Sequence, residues 1–238
     1  MVISKIEATA RDRRTRYATG FEHQYQVFKN LPGYLLSGVP SEWSGLGRNS
    51  FVLVVGAGPS LDMTFPIKKK GFLRLIIVTC DSSMRALEVA NLTPDFVISM
   101  DPYKSFESCS GGFSPCIAIL SSQSHSSWAE QWREPARYIS GRVLAEDFLA
   151  KKGVSKTNIL AANNAGLTAL AFASFLRPSL IITIGMDLSS GVHESDRYAK
   201  NSGRQHIQVH AEHYHHIPVN FQKTVKTHFL SYWQETAK

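Results

Sequence analysis

What most constrains the fold of this chain is a series of short apolar runs, most of them closed by glycine or aspartate. Phe51-Val52-Leu53-Val54-Val55 runs without a polar residue into Gly56-Ala57-Gly58. A strand with one wet face would alternate apolar and polar residues, whereas an uninterrupted run buries both faces, as strands of parallel sheets do. Arg74–Thr79 repeats the pattern up to Asp81, and Phe96–Met100 repeats it up to Asp101. Cys116–Leu120 and the weaker Arg137–Ser140 follow, and Leu180–Ile184 closes in Gly185-Met186-Asp187. Helical stretches separate them: Ser82–Ala90 with Ser82 as N-cap, Val143–Lys151, and the breaker-poor Ala165–Leu176. A closing helix is expected over Thr224–Glu235. Strands alternating with helices predict an α/β chain with a Rossmann-like, mostly parallel sheet and helices on both faces. Crossover connections put every strand's carboxyl end on one rim, where such sheets bind ligands.

Residues 1–30 read as polar and helical, and Asn30–Gly47, rich in proline, glycine and serine, reads as a connecting arm. The expected division is therefore an N-terminal helical and linker arm over 1–48 and the Rossmann-like domain over 49–238. No apolar run approaches the roughly 18–20 residues that cross a bilayer, and the N-terminus lacks a signal-peptide core. Cys80, Cys109 and Cys116 are odd in number and lack metal-ligand spacing, which reads as reduced thiols in a cytoplasmic protein. Net charge is +7, from 26 basic against 19 acidic residues. Basic residues are not interleaved with aromatics and no nucleic-acid motif occurs, so nucleic acid is not the expected partner. The basic segment Ala10–Arg16 reads as a solvated arm, with peripheral contact to a membrane surface as the competing reading.

Gly56-Ala57-Gly58-Pro59-Ser60-Leu61 follows the first strand directly. Glycines there permit a tight turn and close approach of backbone to a phosphate, and Pro59 suits a first helical position. No Lys-Ser/Thr follows, and Leu61 stands where a third dinucleotide-type glycine would, so neither standard phosphate fingerprint is complete. Asp81 follows Gly58 at about the roughly 20-residue spacing of a ribose-binding acid. Asp81, Asp101 and Asp187 all close strands, and acids at equivalent rim positions converge on one cleft. Asp95, after Pro94, reads instead as a turn residue fixing the approach to the third strand. Asn163, Asn164 and Gly166 open the Ala-rich helix; Asn is a good N-cap there, and the pair also makes a polar cradle.

Six of the nine histidines fall between His193 and His216. His206, His210 and His213 would share a face were that stretch helical. No His-Glu-x-x-His occurs and acids are few, so a metal site is not expected and a single catalytic base is. Tyr198 and Tyr214 are hydroxyl donors in the same region.

Taken in order, Val54–Asp62, Cys80–Ser83, Pro94–Pro102, Asn164–Ala169 and Gly185–Leu188 form a series that resembles the motility-associated factor family of bacterial flagellin glycosyltransferases. The central domain of that family is grouped with the MptE-like 6-hydroxymethylpterin diphosphokinases. The Gly-Pro-Ser-Leu turn and Gly-x-Asp strand end also resemble Campylobacter-type sialyltransferases. The resemblance implies a Rossmann-like domain binding a CMP-linked nonulosonic acid as co-substrate, with a glycan or flagellin-like protein hydroxyl as acceptor. It places Gly56–Ser60, Asp81, Asp101 and Asn163–Gly166 in the nucleotide-sugar cleft. It implies Tyr198 on the leaving phosphate and His215 or His216 as base, and no cofactor beyond the donor. The large flanking regions of full flagellin transferases are not in this sequence.

Two readings compete with a transferase of this kind. One is a pyrophosphate transferase using Mg2+ with ATP, with Asp81, Asp101 or Asp187 as ligands. Against it, Asp101 is followed by Pro102 and Tyr103 rather than a second acid. The other is a nucleotide-sugar-binding module without turnover.

Overall fold

The computed structural model describes residues 19–63, 74–109, 115–189, 197–206, 215–219 and 222–227. Its centre is a six-stranded sheet of β1 (Phe51–Val55), β2 (Leu75–Cys80), β3 (Phe96–Ser99), β4 (Ile117–Ser121), β5 (Ala136–Ile139) and β6 (Leu180–Ile184). The strand order is β5-β4-β3-β2-β1-β6, and every neighbouring pair is parallel. The chain builds outward from β1 to β5 and then returns to the far side of β1, so the direction of winding switches between β1 and β6. That is where an open α/β sheet forms its crevice.

Burial explains the lack of polar residues in the strands. Val52 and Val54 of β1 join Val78, Phe96, Ile98, Ile119 and Ile139 on one face. This face is covered by α7 (Ala165–Phe175) through Ala169, Phe172 and Ala173. Leu53 and Val55 point the other way, into a cluster with Ile77, Leu61 and Leu87. Farther along that face Val97, Ala118 and Leu120 pack on Trp128 and Trp132. The period-two alternation thus feeds two cores instead of one core and water. The remaining helices are a helix over 19–29 (α1), α2 (Leu31–Leu36), α3 (Met84–Val89), α4 (Phe106–Cys109), α5 (Ser127–Gln131) and α6 (Leu144–Lys151). No helix among the described residues is long and apolar enough to cross a membrane.

Several sequence expectations are corrected. The stretch expected as a connecting arm carries α2, whose Tyr34 is buried and hydrogen-bonded to Ser140 Oγ at 2.7 Å. It continues as backbone pairing in which Tyr138 N–H donates to the Ser37 carbonyl and Val39 N–H to the Tyr138 carbonyl. Ser82 is not a helix cap: a 3-10 turn over Asp81–Ser83 precedes α3, and Ser83 Oγ bonds the Val55 and Cys80 carbonyls. β6 is an edge strand, with Leu180 and Ile182 exposed, because among the described strands it pairs with β1 alone. Where the closing helix was expected to begin, Gln222–Thr227 is a strand (β8), antiparallel to β7 (His215–Val219), and the rest of the expected helix, 228–235, lies outside the described residues. Three of its six residues, Thr224, Val225 and Thr227, are β-branched and suit a strand. The Ala10–Arg16 arm and residues His193, His210, His213 and Tyr214 lie outside the described residues.

Candidate functional site

A hollow of about 440 Å³ opens at the carboxyl rim, over the crevice between β1 and β6. It is lined by Gly56 and Gly58 after β1, Asp81 after β2, Asp101 after β3, Asn163, Asn164 and Gly166 at the start of α7, Asp187 after β6, and Tyr198. Residues separated by over a hundred positions thus meet because parallel strands all end on this side. Pro59, Ser60 and His216 are not among its lining residues.

The glycine turn is built differently from a phosphate cradle. Gly56 N–H donates to the Ile184 carbonyl and Gly58 N–H to the Gly185 carbonyl, both at 2.8 Å. Pro59–Met63 is a short 3-10 helix and not the expected α-helix start. The Ser60 N–H donates to Asp187 Oδ2 at 2.7 Å, and the Leu61 N–H to the Gly58 carbonyl at 3.0 Å. These amides hold the ends of β1 and β6 together and are not free for a ligand. The glycines are needed because the two strand ends touch: a Cβ on Gly56 or Gly185 would collide with the other's backbone carbonyl. Gly185 also sits at φ 63°, a left-handed conformation that costs other residues energy.

The three rim acids have three different fates. Asp187 ties down the 3-10 turn, as described. Asp81 is fully buried; its Oδ1 accepts from Ser82 N–H at 2.6 Å and Ser82 Oγ at 3.0 Å, and its Oδ2 from Ser99 Oγ at 3.1 Å. Its charge is met by Lys104, whose Nζ lies 3.4 Å from Oδ1 and 3.2 Å from Ser82 Oγ. Burial alone would lower the Lys104 pKa, but Asp81, with Tyr198 and Asp101, outweighs it and holds the ammonium above its ordinary value. Asp101 is half-buried and accepts from the Tyr103 N–H at 3.0 Å, a turn contact. Asp95 behaves as its position after Pro94 suggests, accepting from the Ile77 N–H at 2.8 Å.

Asn164 caps α7, its Oδ1 accepting from the Leu167 N–H at 2.9 Å. Its Nδ2 is buried and has no partner among the described residues. The same is true of His23 Nδ1 and Arg204 Nε, and all three residues line the hollow. Buried polar atoms are satisfied in the great majority of cases, and these three lie around one hollow.

Segment 197–206 closes one side. Ala199 N–H donates to the Ala57 carbonyl at 2.9 Å, and Gly203 N–H to the Ser82 carbonyl at 3.0 Å. Lys200 N–H reaches both Asp62 carboxylate oxygens, at 3.1 and 3.0 Å. These anchors carry Tyr198 to the hollow, with the Arg197 guanidinium 5.1 Å from its ring centre. His206 is an exposed turn residue, and His216 is exposed on β7, paired with Lys226. The side chain of His215 lies outside what the structure describes. Sequence reasoning missed His23, Lys104 and Arg204. His23 sits in a segment read as an arm, and the other two carry no motif, so only their fold position marks them. Among the described residues no group of three or more His, Cys, Asp or Glu is placed to hold a metal ion. Cys80, Cys109 and Cys116 are free and buried.

A family model described as 6-hydroxymethylpterin diphosphokinase MptE-like matches residues 25–192. No curated protein matches the chain. Among solved structures it is similar to the MAf glycosyltransferase from Magnetospirillum magneticum AMB-1, with a TM-score of 0.63 and 20% sequence identity. The similarity covers 91% of this chain and 33% of that one, so this chain spans about a third of that protein. At this identity the likeness shows a common fold.

Proposed function

The chain belongs to the 6-hydroxymethylpterin diphosphokinase MptE-like family, and from that premise we propose that its rim hollow binds a CMP-linked nonulosonic acid and transfers the sugar to a glycan or protein hydroxyl. The observation that carries this reading is the convergence of Asn163, Asn164, Gly166, Asp101 and Tyr198 on one hollow at the switch between β1 and β6. The fold shared with a MAf glycosyltransferase agrees with it. The carboxylates of Asp81 and Asp187 are already directed at protein donors. That favours sugar transfer over a pyrophosphate transfer that would ask those acids to ligate Mg2+ with ATP. No cofactor beyond the donor is invoked.

In the transfer, the bond between the anomeric carbon and the phosphate oxygen breaks, leaving negative charge on the phosphate. The acceptor oxygen forms the new bond and gives up its proton to a base. Tyr198 supplies a hydroxyl donor to the departing phosphate. The base is an imidazole. His23 is the candidate that lines the hollow, and its Nδ1 has no partner among the described residues. His215 and His216 serve only if the β7–β8 hairpin approaches the acceptor. The three buried free thiols fit a reducing compartment, and we place the reaction in the cytoplasm.

A thermal-shift panel of CMP, CMP-linked sugars, ATP with magnesium, and NAD tests the reading. A ligand at 100 times its Kd stabilises by about 2.7 kcal/mol, roughly 5–10 °C for a chain of this size. CMP compounds are expected to give that shift. A response confined to Mg-ATP would move the assignment to pyrophosphate transfer, and one confined to NAD would end both. Substituting His23→Ala is expected to spare CMP binding and lower transfer. Binding without turnover to any acceptor would leave a nucleotide-sugar-binding module.

A further inference from the structure

A phosphate in this hollow needs donors, and the glycine turn has few to offer. The N–H groups of Gly56, Gly58, Ser60 and Leu61 are all taken by protein acceptors. Two cations that line the same hollow have unmet hydrogen-bonding capacity among the described residues. Lys104 has three N–H donors, and among the described residues its Nζ meets two acceptors, Asp81 Oδ1 and Ser82 Oγ. Arg204 has five N–H donors in a planar fork, and its Nε is buried with no acceptor among the described residues. Leaving a buried charged donor unmet is expensive, and a guanidinium fork matches the oxygens of a phosphate.

The two cations are also held in place relative to each other. Gly203 N–H donates to the Ser82 carbonyl, while the hydroxyl of the same serine accepts from Lys104 Nζ. Arg204 N–H in turn bonds Ser202 Oγ at 3.3 Å. Gly203 packs so close to the backbone of Cys109 that a Cβ there would collide with it, which keeps this part of the segment against the sheet rim. Tyr198 reaches the hollow from the same segment.

We infer that Arg204 and Lys104 form the phosphate subsite of this hollow, holding the phosphate of a nucleotide through the Arg204 fork and the Lys104 ammonium. The inference rests on the nucleotide-donor reading above and goes beyond it by naming the groups that take the leaving charge. It moves phosphate recognition from the glycine turn, after β1, to the segment over 197–206.

Isothermal titration of CMP, UMP and AMP, each beside its nucleoside, tests this on the wild type, Arg204→Gln and Arg204→Lys. The wild type is expected to bind at least one monophosphate more tightly than its nucleoside. Arg204→Gln is expected to lose about tenfold or more of the monophosphate affinity, as for removal of a charged hydrogen bond, with nucleoside affinity unchanged and the unliganded melting point not lowered. Arg204→Lys keeps the charge but not the fork and is expected to recover only part of the loss. Monophosphate affinity retained within about twofold in Arg204→Gln would overturn the subsite and leave the nucleotide reading standing. Equal losses for nucleoside and monophosphate would overturn it too, as would a wild type that binds both alike. A wild type that binds no monophosphate would overturn both readings. One that binds all three equally would remove the cytidine preference alone.

Discussion

Replacing Asp81 with Asn tests whether the rim is held together by one buried ion pair. Asp81 is fully buried and the Lys104 side chain is 14% exposed, so neither charge has bulk water to fall back on. The amide of Asn keeps an acceptor for the Ser82 N–H, and the Ser99 hydroxyl can rotate to accept from the new NH2 group. Most of the loss is therefore the ammonium left with Ser82 Oγ as its acceptor. Breaking a buried pair from one side costs about 3–5 kcal/mol. Lys104 retains slight exposure and the neighbouring Asp101, which sets the expectation at the lower end, about 3 kcal/mol. For a chain of this size that lowers the melting point by roughly 6–12 °C. Lys104→Met is expected to cost a similar amount, and the double substitution little more than either alone. Urea unfolding of the wild type, both singles and the double supplies the cycle. The pH dependence supplies a second check. Folding favours the protonated form of Lys104, so the ammonium's contribution is full below the ordinary lysine pKa of about 10.4 and is lost as pH climbs above it. Losses that simply add, within about 0.5 kcal/mol, would refute the pairing and the reasoning built on it.

Other outcomes follow from the same structure. Burial pushes the Cys80 and Cys109 thiols up to about 12, so about one in ten thousand is thiolate at pH 8. A thiol reagent at that pH should label neither until denaturant is added; rapid labelling of the native protein would contradict this. Glu146 is buried, with Oε1 accepting from the Gly141 N–H at 2.9 Å and Oε2 without a partner among the described residues, and burial raises its pKa. Its protonated form is favoured by folding, so its contribution is full at acid pH and lost as pH rises. Glu146→Gln should therefore raise the melting point at pH 8 more than at pH 4. The new amide would also face the Ser121 and Ser122 hydroxyls that crowd Gly141. Gly56→Ala puts a Cβ into the Gly185 carbonyl and should cost more than about 1 kcal/mol in urea unfolding, whether or not a ligand is present. A neutral result would mean that β1 and β6 can part without penalty.

Much of the sheet can be read from residue order. Phe51–Val55 and Leu180–Ile184 have the strand limits expected of them, and the other four strands shift by a residue or so at their ends. Doubly buried strands must be continuous apolar runs, and few other structures give that pattern at this length. The first residues of the expected C-terminal helix, Thr224–Thr227, are in a strand instead because they pair with His215–Val219, a contact that local sequence does not report. The arm was misread because proline and glycine mark turns reliably but say nothing about what the intervening Tyr34 packs against.

For the site, local sequence identified the rim positions Gly56, Gly58, Asp81, Asp101, Asn164 and Asp187, since a residue closing a parallel strand must stand on the carboxyl rim. What each does there depends on neighbours far along the chain. Asp187 bonds Ser60, Asp81 pairs with Lys104, and the glycine amides face Gly185 and Ile184 instead of opening to a ligand. Periodicity reports which way a side chain leaves the backbone, because that is a matter of a few adjacent dihedrals. Which donors and acceptors remain unmet, such as His23 Nδ1, Asn164 Nδ2 and Arg204 Nε, is a balance over every atom that folding brings within bonding distance, and no stretch of neighbouring residues contains it.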